Sequence, residues 1–160
     1  MPHSSIVRKA VASDAGSVRA CVLAAFEPYV ARIGKPPAPM LLDFEAQVAA
    51  GNVWVVPSSG GVAGAIVQYD TPLGFYVDTV AVLPSVQGTG VGRALLEFAE
   101  HEALQRGYQS LYLCTNSKMT ENQVLYPRAG YVEYERKHEA GYDRVFYRKQ
   151  LANVTRSSAA

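Results

Sequence analysis

Val80-Ala-Val-Leu-Pro-Ser-Val-Gln-Gly-Thr-Gly-Val-Gly-Arg-Ala-Leu-Leu96 is the most informative stretch of the 160-residue chain. A β-rich run feeds a loop with glycines at 88, 90 and 92, and the loop feeds an amphipathic helix. On that helix Val91, Ala94, Leu95 and Phe98 share one face, with Arg93, Glu97, Glu100 and His101 mostly outside it. Glycine admits a positive φ and lets a ligand approach the backbone closely. The amides of a first helical turn have no partner within the helix and lie at the positive end of its dipole, so a phosphate fits there.

Two common phosphate motifs do not match. A nucleotide P-loop ends in Gly-Lys-Ser/Thr, and this loop ends Gly92-Arg93-Ala94. A dinucleotide fingerprint starting at Gly88 needs Gly or Ala where Arg93 stands, and it comes early in a βαβ unit without strands arranged as a meander in front.

Working outward, residues 53–56, 62–69 and 75–82 read as three successive strands, separated by Gly60-Gly61 and by Thr71-Pro-Leu-Gly74. They predict an antiparallel meander, with Pro57 ending the first strand. Before it, residues 6–9 predict a short strand. Ser13 is expected to cap a helix that carries Val18, Cys21, Val22, Ala25 and Phe26 until Pro28 disrupts it. The three prolines within residues 32–40 exclude regular helix, and that segment is expected to be an ordered wall rather than a loose linker. Residues 40–50 predict a second helix, closed by Gly51.

Beyond the glycine loop, Gly107 ends the helix and residues 111–115 form a short buried strand. Thr120-x-x-Gln123 is a capping-box pattern for a short helix that Pro127 interferes with and Gly130 ends. Residues 131–136 and 142–150 read as the last strands. The order β-α-α-β-β-β-α-β-α-β-β implies a mixed α/β layer fold.

Composition narrows the function classes. The chain length suits one domain, expected over residues 1–152, with a tail at 153–160 expected to fray. Hydrophobic residues make up 49% and charged residues 18%, enough to bury a core. A formal net charge of +1 gives no basic field for general nucleic-acid binding. No apolar run approaches the ~20 residues of a membrane span, and residues 1–8 show no signal-peptide pattern. Cys21 and Cys114 sit in apolar stretches and read as buried free thiols of a cytoplasmic protein. His3, His101 and His138 are isolated and lack metal-ligand spacing.

The segment Gln87-x-x-Gly90-x-Gly92 resembles the acyl-CoA pyrophosphate loop of the GCN5-related N-acetyltransferase (GNAT) superfamily. Asn122-Gln-Val-Leu-Tyr126-Pro-Arg-Ala-Gly130-Tyr131 resembles that family's second signature, a short helix carrying a tyrosine before a Gly-aromatic turn. The element order fits over residues 6–151. The resemblance implies a mostly antiparallel sheet flanked by helices, in which the strand over residues 75–82 splays from a parallel neighbour over residues 111–115. It implies acetyl-CoA as acyl donor and no metal. It also implies pantetheine along the backbone of Val80, Ala81 and Val82, and pyrophosphate on the amides of Gln87, Gly88, Thr89, Gly90, Val91, Gly92 and Arg93. The Arg93 side chain could add a charge-assisted contact.

The same resemblance points to Tyr126 as the catalytic residue. A phenol near the sulfur can protonate or hydrogen-bond the leaving thiolate, and a backbone amide near Val82 would hold the oxyanion. Many members carry an asparagine seven residues before this tyrosine; Met119 stands there, and Asn122 is expected to make that cofactor contact. A lysine-like amine has a pKa of about 10.4, so a group must take its proton. Asp78 and Glu27 are the candidates, directly or through water. The expected acceptor is a primary amine of a small molecule, amino acid or peptide, held by residues 27–44 and 138–144, with Tyr29, Tyr76 and Tyr142 nearby. A homodimer is common among such small enzymes. The alternatives are a non-catalytic acyl-CoA-binding domain of the same fold and a transferase using another acyl donor.

Overall fold

The computed structural model describes residues 6–152. The strands are β1 (Arg8–Lys9), β2 (Val53–Ser58), β3 (Gly61–Thr71), β4 (Gly74–Val82), β5 (Ser110–Asn116), β6 (Val132–Glu139) and β7 (Tyr142–Gln150). The helices are α1 (Ala15–Phe26), α2 (Val30–Ile33), α3 (Phe44–Ala49), α4 (Val91–Gln105) and α5 (Asn122–Arg128). The strands form one seven-stranded mixed sheet in the order β1-β2-β3-β4-β5-β7-β6. Its parallel pair is β4 with β5, registered Phe75↔Leu111 through Val77↔Leu113. That ladder covers three pairs, although both strands continue past it. The predicted element order holds, with α2 added as one short turn after the Pro28 break.

The chain divides into two compact units, residues 6–69 with 78–98 and residues 70–77 with 99–152. In the first, the helical spacing of Val18, Cys21 and Val22 on α1 brings them onto one buried cluster with Phe44 and Val48 of α3, Val53 and Val55 of β2, Ala65 and Val67 of β3, and Ala81 of β4. Burying each Val or Phe there stabilises the fold by roughly 1.5–3 kcal/mol. Gly64 admits α4 against β3. A Cβ at that position would lie 2.7 Å from Val91 Cγ1, 3.1 Å from Leu95 Cδ1 and 3.1 Å from the Ala81 carbonyl oxygen. Trp54 and Phe98 add a tilted ring contact at 5.6 Å.

In the second unit, Leu111, Leu113, Val145 and Tyr147 are fully buried. Tyr147 packs against Tyr126 of α5 at 5.8 Å between ring centroids. Lys149 donates to Glu100 of α4 at 2.9 Å. Both contacts place helices on the face of β7 that carries its odd-numbered residues.

Several boundaries differ from expectation for local reasons. The first strand shrinks to Arg8–Lys9, and Ile6 is exposed. Ser13 does not cap α1; it lies in a 3-10 turn in which the Asp14 carboxylate accepts from the Val11 amide at 2.8 Å. The second helix starts at Phe44 rather than 40, because Leu42 and Asp43 are extended and Asp43 caps it, accepting from the Ala46 amide at 3.0 Å. Pro57 lies inside β2. The register shifts between Val56 and Pro57, and β1 covers β2 only at Trp54 and Val55, so the missing donor is tolerated on an open flank. The capping box at Thr120 does not form: α5 has no side-chain cap, and the Gln123 amide group donates instead to the Ser117 carbonyl at 2.9 Å. Cys114 is half-buried rather than buried, and both cysteines are free thiols. The tail expected to fray lies outside the described residues. Among the described residues no helix is long and apolar enough to cross a membrane.

Candidate active site

The glycine loop folds as its sequence requires. Gly88 and Gly90 take φ of +83° and +97°, a region that costs an L-residue about 1–2 kcal/mol. A Cβ at either would meet no protein atom within 4 Å, so the backbone faces open space. The Thr89 hydroxyl donates to the Val86 carbonyl at 2.5 Å, and the Thr89 amide donates to the same oxygen at 3.3 Å. The Gln87 amide donates to Pro84 at 3.4 Å, and the Gln87 side chain reaches the Val82 carbonyl at 3.4 Å.

The first bond of the α4 ladder runs from Ala94 to Gly90 at 3.0 Å. The amides of Val91, Gly92 and Arg93 therefore precede the ladder, at the positive end of a helix of 15 residues. Of the seven loop amides expected to bind pyrophosphate, Gln87 and Thr89 are thus engaged internally, and the geometry favours the others. Arg93 is exposed and has no ion-pair partner among the described residues. The junction has the chemistry to take a pyrophosphate: five of its seven amides are unspent within the loop, and the space beside Gly88 and Gly90 is open.

Val80 and Val82 are half-buried and Ala81 is buried. Upstream on the same strand, Asp78 is part-buried. Its Oδ2 accepts from the Tyr69 hydroxyl at 2.5 Å and its Oδ1 from the Thr79 hydroxyl at 2.8 Å. Each carboxylate oxygen thus keeps one lone pair for a further donor. Glu27 is exposed, at the start of the 3-10 turn that follows α1. Phe26 beside it and Tyr69 pack on the same buried cluster. The structure records no contact between Glu27 and Asp78 among the described residues.

In the second unit, α5 presents Tyr126 and Asn122. Pro127 does not interrupt the helix, which runs on to Arg128, and Tyr126 is helical rather than turned out of it. The proline falls in the last turn, where the ladder is already closing: the Ala129 amide bonds back to Leu125 and Tyr126, and the Tyr131 amide to Tyr126, all at 3.0 Å. The Tyr126 ring is buried, edge-on to Tyr131 at 5.7 Å. The Tyr131 hydroxyl has no bonded partner among the described residues, and burial, followed by the Glu100 charge, pushes its ionisation far above the usual range. Asn122 donates through Nδ2 to the Thr115 hydroxyl at 2.9 Å, and Thr115 donates to the Met119 sulfur at 3.5 Å. Residues 115, 119 and 122 are therefore one linked group, and Met119 is its buried floor.

Sequence reasoning missed Tyr69 and Thr79 as partners of Asp78. A signal was present. A turn centred between Pro72 and Leu73 sets Asp78 two places beyond the residue opposite Tyr69, within the diagonal reach of a long aromatic side chain. Among the described residues no group of three or more His, Cys, Asp or Glu could hold a metal ion.

The profile of the acetyltransferase (GNAT) domain family matches residues 49–133, which include both the glycine loop and α5. A GNAT-family acetyltransferase from Desulfovibrio desulfuricans superposes with a TM-score of 0.74 at 24% identity, covering 92% of this chain and 99% of that one. A GCN5-related N-acetyltransferase from Rhodopseudomonas palustris gives 0.74 at 21% identity, covering 94% and 98%. A GNAT-family acetyltransferase from Listeria monocytogenes gives 0.69 at 17%, covering 91% and 94%. These likenesses establish a common fold. No curated protein matches the chain.

Proposed function

The chain belongs to the GNAT acetyltransferase family, and from that premise we propose that it moves an acetyl group from acetyl-CoA to a primary amine by direct attack, as one catalytic domain over residues 1–152. The observation that carries the reading is the junction of β4 and α4. Glycines at positive φ, open space beside them and amides ahead of the helical ladder make a built anion cradle inside the matched segment.

In this reading acetyl-CoA supplies the activated acetyl group, and each group of residues has a defined task. The amides of Gly88, Gly90, Val91, Gly92 and Arg93 hold the pyrophosphate, and the Arg93 side chain adds charge. The backbone of Val80, Ala81 and Val82 aligns the pantetheine arm, which is consistent with a parallel ladder that ends at Val77. An amide near Val82 stabilises the charge developing on the carbonyl oxygen. Asp78, steadied by Tyr69 and Thr79, or Glu27 takes the proton from the amine, directly or through water. The Tyr126 hydroxyl donates toward the departing sulfur, and Asn122 makes its contact through Oδ1, because its Nδ2 already donates to the Thr115 hydroxyl and the Met119 sulfur. The reaction is placed in the reducing cytoplasm, in keeping with two free thiols.

The test has two arms. Calorimetry with CoA and acetyl-CoA should show binding that weakens as salt rises. Thiol release from acetyl-CoA, followed across a panel of amines, should show turnover with at least one primary amine. CoA binding without turnover of any amine would instead identify an acyl-CoA-binding protein without transferase activity.

A further inference from the structure

The even-numbered face of β7 carries chemistry that the reading above leaves unused. In the second unit, register sets Tyr76 beside Tyr112, Cys114 opposite Phe146 and Asn116 opposite Arg144. Side chains alternate along a strand, so Tyr76, Cys114 and Arg144 lie on one face. It is the face opposite the one that meets Glu100 and Tyr126. The Tyr76 hydroxyl and Cys114 sulfur are 3.2 Å apart. Both act electrostatically on the Arg144 guanidinium. The Arg144 side chain is 21% exposed. It stands 5.7 Å from the Tyr142 ring centre and gives Nη1 to Glu139 at 3.1 Å. Its Nε and Nη2 donate to no group among the described residues.

The position in the sheet matters as much as the composition. Cys114 directly follows Leu113, the last residue of β5 paired with β4. The cluster therefore sits where the parallel ladder ends, and its Tyr76 stands two residues before Asp78 along β4. A half-buried guanidinium with unspent donors, next to a phenol, binds a planar monoanion in fork geometry. A phosphate dianion suits it less, because Glu139 already lies against the same guanidinium and is shared with Lys137 at 3.7 Å. The same carboxylate favours the arrival of an ammonium group beside the anion.

We propose that Arg144, with Tyr76 and Glu139 around it, forms a specificity site for the carboxylate of the acceptor, so that the acceptor class is a free amino acid or a close amino-acid analogue. This rests on the acetyltransferase reading, and its test separates the two.

The experiment measures kcat/KM with acetyl-CoA for each common L-amino acid against its own carboxamide. The intact enzyme should prefer the acid of its best pair by ~10-fold or more, the range of a hydrogen bond to a charged group. Arg144→Gln should erase that preference through KM, while acetyl-CoA affinity by calorimetry stays unchanged. Arg144→Lys should restore part of it. Should Arg144→Gln fail to fold, Tyr76→Phe removes one hydroxyl and should lower the preference without touching the ion pair. Carboxamides accepted as well as acids, or no carboxylate-bearing amine acetylated, overturns the proposal while intact acetyl-CoA binding leaves the broader reading standing. Absent acetyl-CoA binding sinks both.

Discussion

The Tyr69 hydroxyl on β3 lies 2.5 Å from Oδ2 of Asp78 on β4, and Thr79 holds the other oxygen at 2.8 Å. Two hydroxyls fix the carboxylate in place while leaving it able to accept a third donor. If Asp78 takes the proton of the amine, Asp78→Asn should lower kcat/KM by ~10²-fold or more. Tyr69→Phe should cost less, since it frees the carboxylate to move without removing it. A pH-rate profile for both variants is the measurement. An unchanged acidic limb in Asp78→Asn assigns the proton to Glu27 or to solvent.

At the loop, Gly90→Val places a β-branched residue at a φ of +97°. A Cβ there meets no protein atom within 4 Å, so the damage should be backbone strain of about 1–2 kcal/mol together with lost approach to the phosphates. CoA affinity by calorimetry should fall more than ~10-fold, with only a small drop in thermal midpoint. Unchanged affinity in a folded variant would move the anion site elsewhere.

For Tyr126, the informative change is Tyr126→Phe. The ring contacts with Tyr131 and Tyr147 survive, so stability should hardly move. General acid catalysis is typically worth ~10²–10⁴-fold, and a thiolate leaves fairly well unaided, so a kcat loss of ~10²-fold or less is expected, with acetyl-CoA affinity intact. A wild-type rate, with chemistry limiting, would make the tyrosine structural.

The two thiols should differ. Burial pushes Cys21 up to about 11, while Cys114 is half-buried. At pH 8.5 or so, iodoacetamide should therefore label Cys114 in the native protein and Cys21 only on unfolding. The linkage has a definite sign. The folded value of Cys21 lies above that of the unfolded chain, so its contribution is complete below the unfolded pKa of about 8.5 and is lost as pH rises toward about 11. Thermal midpoints across that window should fall less in Cys21→Ala than in the wild type. Equal slopes would exclude Cys21 as the source.

What could be read from the sequence follows from the range of the interactions involved. Gly88, Gly90 and the apolar stripe of α4 were legible because a positive φ and helical periodicity are local properties. The two prolines misread at 57 and 127 show the limit. Whether a missing donor matters depends on whether a partner strand or a closing helix end is there to need it, and that is set by tertiary structure. Thr120 and Gln123 carry a good capping pattern, but the Gln123 side chain gives Nε2 to the Ser117 carbonyl and takes a bond from Arg136 on Oε1, partners that chain spacing does not reveal. Arg144 was included only as the end of a segment expected to line the acceptor cleft. Its importance comes from the β5–β7 register, which pairs residues far apart in the chain.

Gly64 contributes no functional group, yet it sets the height at which α4 rests on the sheet. Val91 and Leu95, the residues that would be pushed away by any side chain there, lie in the first two turns of the helix that follows the loop. A laboratory selection for enzymes with altered donor affinity should therefore recover substitutions at position 64, a site that no substrate-contact map would include. The strand residue acts as a spacer whose thickness is passed on, through two aliphatic side chains, to the loop proposed to anchor the acyl donor.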